Sequence, residues 1–191
     1  MLIYASSCKR YLLEHGGAFV RSARKCGHEV LIDQTDDFPY LRTKFDNESL
    51  FALYLRYLRL PDLLDRNILM LDIDSIINHP IKEIDCDLAL FFRPWIKDET
   101  KKILMTASYW TPKARPFAEA IRQKVLKSGK QWFEDQKIVL EVHKQLGYLF
   151  NVGTLDKNFV CYDFTRESPI WTCKGPARKD HSVYLERRAA C

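Results

Sequence analysis

Ile68-Leu69-Met70-Leu71-Asp72-Ile73-Asp74-Ser75-Ile76-Ile77-Asn78-His79-Pro80 is the stretch that decides the fold class. Four apolar residues without Gly or Pro among them predict a buried strand. Asp72 and Asp74 follow, and side chains at i and i+2 past a strand end point the same way. In open α/β sheets, ligands sit outside that edge. Two carboxylates aimed at one point repel unless a cation lies between them. Hard ions such as Mg²⁺ or Mn²⁺ are often held by one or two carboxylates plus substrate phosphates. Two aspartates in a loop, one of them capping a helix, are the plain alternative.

Working outward, strands and helices alternate. Residues 2–5 form a strand that enters the turn Ser6-Ser7-Cys8. Tyr11, His15, Phe19, Ala23 and Cys26 then recur near helical spacing over 9–26, and Gly27 stops that helix. Residues 29–33 are a second strand, so the chain opens as strand-helix-strand with a right-handed crossover. A helix over 47–59 follows, with Asn47 as N-cap and Pro61 as its end. Further strands are expected at 87–92, 103–109, 158–162 and 169–172, and helices at 113–128 and 133–146. The basic last twenty residues read as loop. This alternation predicts an α/β fold.

Composition narrows the function classes. A chain of 191 residues suits a single domain. Its net charge of +5 comes from Lys and Arg spread along the chain, with one dense cluster between Lys174 and Arg188. That favours a compact anionic ligand over a nucleic-acid track, so no nucleic-acid partner is expected. The six cysteines form no C-x-x-C pair, which excludes zinc spacing and predicts reduced thiols. No apolar run approaches a transmembrane length, and the N-terminus reads as a strand rather than a leader. A cytoplasmic location is the resulting expectation. No G-x-G-x-x-G or Walker A sequence is present, so a Gly-rich phosphate loop is not expected.

Four segments carry the chemistry: Tyr54-Leu55-Arg56-Tyr57-Leu58-Arg59-Leu60-Pro61, the segment with Asp72 and Asp74, Trp132-Phe133-Glu134-Asp135-Gln136, and Ile170-Trp171-Thr172-Cys173-Lys174-Gly175-Pro176-Ala177-Arg178-Lys179. In this order they resemble the D-x-D type of nucleotide-sugar-dependent glycosyltransferases of the GT-A fold, over roughly residues 1–179. The resemblance implies one GT-A domain over 1–180, with a mixed, mainly parallel sheet flanked by helices, and a basic tail over 181–191. It implies a hexosyltransferase-class enzyme. The donor would be a nucleoside-diphosphate sugar, with UDP-sugar favoured, and the acceptor a glycan or other hydroxyl.

The resemblance also implies roles. Ala5, Ser6, Ser7 and Tyr11 would hold the base, and Arg56 the nucleotide or its sugar. Asp72 would face the ribose and the metal, Ile73 would belong to the nucleotide-binding set, and Asp72 and Asp74 would bind Mn²⁺ or Mg²⁺. Asp135 and Gln136 would lie near the transferred sugar and the acceptor. A His-x-x-Gly-x-x-Lys pattern would grip the pyrophosphate through Lys174, Gly175, Arg178 and Lys179. Here the histidine is Thr172 and the lysine is Arg178. Thr172 is a poor replacement for imidazole as a metal ligand.

The physical logic is independent of the name. Negative charge builds on a leaving diphosphate, and a divalent ion on Asp72 and Asp74 neutralises it. Lys174, Arg178 and Lys179 add preorganised positive charge. An inverting enzyme would want a carboxylate base within reach of the acceptor hydroxyl, Asp135 first and Glu134 second, and the sequence does not decide between inversion and retention.

Taken singly, each residue has a plainer reading. Arg56 is equally an exposed helix residue. Glu134 and Asp135 suit a helix first turn. Trp132 and Trp171 suit a core or pocket wall, and His79 a surface turn.

Two other functions stay open. A haloacid-dehalogenase-type phosphohydrolase also ends a strand in D-x-D, with the first aspartate as nucleophile, but Ser75-Ile76 follows here instead of a Gly-Thr type sequence. The same fold can also bind a nucleotide sugar without turnover. Oligomeric state is not legible.

Overall fold

The computed structural model of the protein describes residues 1–191 except 43, 44, 130, 165, 166, 174 and 175, and except the side chains of 100, 176 and 177. Strand β1 (Leu2–Ser7) leads through α1 (Lys9–Tyr11), a π-helical turn (Leu12–Gly16) and α2 (Gly17–Lys25) to β2 (Glu29–Gln34). The short α3 (Pro39–Arg42) and the long α4 (Glu48–Leu63) precede β3 (Ile68–Leu71), β4 (Ser75–Ile77), β5 (Leu88–Phe92) and β6 (Ile103–Trp110). Helices α5 (Arg115–Lys127) and α6 (Glu134–Leu146), strands β7 (Val152–Leu155), β8 (Val160–Cys161) and β9 (Ile170–Thr172), and helices α7 (Pro176–Lys179) and α8 (Ser182–Ala190) complete the chain.

Six strands form the main sheet in the order β2-β1-β3-β6-β5-β7. Strand β6 runs antiparallel to β3 and β5, and the other pairs are parallel. The sheet is therefore mainly parallel, as expected. Both faces of the sheet are covered, so β1, β3, β5 and β6 are buried along nearly their whole length, with successive side chains going to opposite faces. Leu2, Tyr4, Ile68 and Met70 pack on one face against α4, α5 and α6. Ile3, Ala5, Leu69 and Leu71 pack on the other with Phe19 and Ala23 of α2 and Ile77 of β4.

Helix α4 is fastened to the sheet by polar contacts as well. Tyr4 donates to Asp33 at 2.9 Å, and Arg59 Nε donates to the same carboxylate at 3.2 Å. Asn47 caps α4 by accepting from the Leu50 N–H at 3.0 Å, as its position predicts.

Three expectations are corrected. Helix α4 does not end at Pro61 but runs to Leu63 with the proline inside it. Residues 75–77 and 152–155 are strands that the sequence did not announce, both too short to show a period. The C-terminal stretch is not loop: Ser182–Ala190 is a helix. Its Tyr184 is buried against Ile76, Phe164 and Cys173.

All six cysteines are free thiols. Among the described residues no helix is long and apolar enough to cross a membrane.

Candidate active site

Parallel pairing of β1 with β3 (Tyr4 beside Met70) brings their C-terminal ends to one edge. A cavity of about 400 Å³ opens there, within the range typical of small-ligand sites. Ser6, Ser7, Cys8 and Tyr11 form the wall beyond β1, and Ser49, Ala52, Leu53 and Arg56 form the wall from α4. Asp72, Ile73 and Asp74 make its floor, while Trp132 and Lys179 flank it.

Arg56 joins three of the four segments singled out in the sequence. It is 2% exposed. Its Nη1 donates to Asp72 Oδ1 at 2.7 Å, its Nη2 lies 3.9 Å from Asp135 Oδ2, and its Nε donates to the Leu53 carbonyl at 3.1 Å. Tyr57, one residue along α4, donates to Asp135 Oδ2 at 3.1 Å. Thr106 of β6 donates to Asp72 Oδ2. Asp72 is thus held on both oxygens.

The fourth segment arrives through β9. Its pairing with β4 sets Thr172 opposite Ser75, and the Thr172 hydroxyl donates to Asp74 Oδ1 at 3.4 Å. Lys179 Nζ lies 3.9 Å from Asp74 Oδ2 and 3.9 Å from the centre of the Tyr11 ring. The Tyr184 hydroxyl donates to the Asp74 carbonyl at 3.1 Å. Burial, and then the charge of Asp74, push the Cys173 thiol up to about 12, so it stays protonated.

No protein-family model and no curated protein sequence matches the chain. Solved structures do. A glycosyltransferase involved in the glycosylation of the major capsid of PBCV-1 superimposes with a TM-score of 0.68 at 12% identity, over 99% of this chain and 97% of that one. The galactosyltransferase LgtC, solved with donor and acceptor sugar analogs, gives 0.56 at 15% identity, over 100% and 96%. GlyE of Streptococcus pneumoniae TIGR4 gives 0.61 at 15% identity, over 98% of this chain and 60% of that one. The chain has the GT-A fold.

Within the GT-A fold only some of the sequence-selected residues reach the cavity. Ser6, Ser7, Tyr11, Arg56, Asp72, Ile73, Asp74 and Lys179 line the cavity. Asp135 and Gln136 are buried and are not part of its wall: Asp135 braces Arg56, and Gln136 accepts from Arg93 at 3.4 Å. Ala5 is wholly buried in the sheet core. Glu134 is turned to its own loop, accepting from the Gln131 N–H at 3.0 Å and the Gly129 N–H at 3.3 Å. Arg178 lies over the Tyr162 ring at 5.4 Å. Lys174 and Gly175 lie outside the described residues.

Sequence reasoning missed Thr106, whose contact with Asp72 depends on β6 lying antiparallel beside β3. It also placed Trp132 as a core or wall aromatic. Trp132 does stand at the cavity wall, 53% exposed, and Phe133 after it has a left-handed φ of 68° where the chain enters α6.

The side chains at 72, 74 and 172 do not fit a divalent ion as a donor set. Each oxygen of Asp72 and Asp74 already faces an N–H, O–H or ammonium partner. The third position carries a neutral hydroxyl. Among the described residues no three His, Cys, Asp or Glu side chains converge to hold a metal.

Proposed function

We propose that the protein is a glycosyltransferase that moves a sugar from a nucleoside-diphosphate sugar to an acceptor hydroxyl. The observation that carries this reading is the cavity at the β1 and β3 edge of a GT-A fold, where Arg56 ties the D-x-D segment to the start of α6. The nucleoside would lie along Ser6, Ser7 and Tyr11, and the diphosphate would face Lys179. In the transfer, the bond from the anomeric carbon to the diphosphate oxygen breaks and its electron pair leaves with that oxygen. The acceptor oxygen makes the new bond, and its proton is lost to the released diphosphate or to water. Asp135, behind Arg56, would act by holding the guanidinium in place rather than as a base on the wall. A hexose from a UDP-sugar, passed to a glycan, is the favoured form of this reaction.

The phosphohydrolase reading needs Asp72 as a free nucleophile. Arg56 and Thr106 occupy both of its oxygens, so that reading is set aside.

A thermal-shift panel of UDP, GDP, CDP and their common sugar conjugates tests the proposal. A ligand that binds only the folded state raises the melting temperature by mass action, by an amount that grows with its concentration. A shift with one base family, followed by release of that nucleoside diphosphate in the presence of a glycan acceptor, is the expected result. No shift with any of them overturns the proposal. A shift without release or transfer would make the protein a binder of nucleotide sugars.

A further inference from the structure

We propose that Lys179 is the built-in counter-cation of this site, so that the protein binds the diphosphate of its donor without a divalent metal ion. The inference rests on the nucleotide-sugar reading above and deepens it.

Three observations converge on this lysine. Its ammonium is fixed from two sides, 3.9 Å from Asp74 Oδ2 and 3.9 Å from the centre of the Tyr11 ring. A cation over an aromatic face is attracted by the ring quadrupole, so the charge stands between the β1 wall and the D-x-D floor. It lines the cavity and its side chain is 19% exposed, which leaves the ammonium open to an incoming oxyanion.

The carboxylates are occupied in a manner that suits a fixed cation. Arg56 and Thr106 hold Asp72, and Thr172 and Lys179 meet Asp74. A hydroxyl at 172 donates a hydrogen bond to Asp74, where an imidazole would lend a metal its lone pair.

The lysine is also positioned by its surroundings. It ends α7, and α8 begins three residues later. The Tyr184 hydroxyl of α8 reaches both the Asp74 carbonyl, at 3.1 Å, and His15 Nδ1, at 3.1 Å. Arg56 therefore meets Asp72 and Asp135, and Lys179 is the cationic side chain beside Asp74 on the cavity lining. A lysine is a compact point charge that can swing from a carboxylate to a phosphate on its flexible stem.

Calorimetric titration of the full chain with UDP, in EDTA and separately in Mn²⁺, tests the inference, with uridine as the nucleoside control. The expected result is UDP binding in EDTA within about threefold of that in Mn²⁺. Lys179→Met is expected to weaken UDP by about tenfold or more in either buffer, the loss of one charged hydrogen-bonding contact, while uridine is unaffected. Lys179→Arg should recover most of the UDP affinity and shows that the charge, not the packing, is responsible. UDP binding that appears only with Mn²⁺, or is unchanged in Lys179→Met, overturns the inference while leaving the glycosyltransferase reading intact. Absence of binding by UDP, GDP and CDP in both buffers overturns that reading and the inference with it.

Discussion

Arg56 carries a full charge into the interior, and the sequence alone made it an even choice between exposed helix residue and ligand. Its surroundings explain how it stays there. Asp72 and Asp135 share its guanidinium, and Tyr57 bonds to Asp135 and lies beside it. Breaking a buried ion pair by removing one partner is far more costly than the pair's net worth, because the other charge remains buried. Here two carboxylates would be left near each other. Arg56→Ala is therefore expected to lower unfolding stability by about 3 kcal/mol. Urea denaturation with an unchanged slope against urea would verify it, and a loss below about 1 kcal/mol would contradict this account. Arg56→Lys should rescue only part of the loss, since an ammonium cannot reproduce the planar fork that serves Asp72, Asp135 and the Leu53 carbonyl together.

At the scale of elements, α8 is the segment whose role changes most between sequence and structure. A basic, loop-like reading follows from Arg187 and Arg188. The stretch docks as a helix chiefly through Tyr184, buried in a small cluster with Ile76, Phe164 and Cys173, with Arg187 donating to Asn78 beside it. Its hydroxyl spans two elements at once, meeting the Asp74 carbonyl beyond β3 and His15 in the π-helical turn. Tyr184→Phe keeps the ring and removes only the hydroxyl. It should cost about 1–2 kcal/mol, the usual range for a lost buried hydrogen bond with its partners left unpaired. It should also loosen the placement of Lys179, which a weaker response to UDP in the thermal-shift assay would reveal. Unchanged stability and unchanged UDP response together would refute the anchoring role.

At the scale of the whole molecule, stability should depend on pH through His15. Burial is the largest cause that lowers its pKa, from 6.5 to about 4; Lys179 and Arg188 add to the fall, and the carboxylate of Glu14 opposes it. The folded state thus holds His15 neutral in a range where the unfolded chain takes up a proton. The contribution is intact above pH about 6.5 and is lost progressively as pH falls toward about 4. His28 and His143 are also lowered by burial and tilt the same way. Melting temperatures of the protein and of His15→Gln, taken across this range, isolate the His15 part. The difference between them should change between pH 6.5 and 4 and stay constant above it. A difference that is flat across the range would remove His15 from the account.

The fold class was legible because its signals are local. The apolar run 68–71, the strand-helix-strand opening and the helices over 115–127 and 134–146 each declare themselves within a few residues, through periodicity and stop signals. Aspartates at 72 and 74 announced a ligand-facing edge for the same reason, since a strand end and a spacing of two suffice to aim both side chains together. Partners were not legible. Thr106 meets Asp72 only because β6 lies antiparallel beside β3, and Asp135 braces Arg56 only because α6 packs on the same face as α4. Glu134 and Asp135 are adjacent in sequence, yet one caps its own loop and the other enters the interior. By itself the sequence determined most of the strands and helices, though not β4, β7 or α8, and which residues could carry charge to one edge. The tertiary structure alone decided which charges pair, because pairing depends on distances between segments far apart in the chain. Such distances are set by sheet order and helix packing, not by any spacing along the sequence.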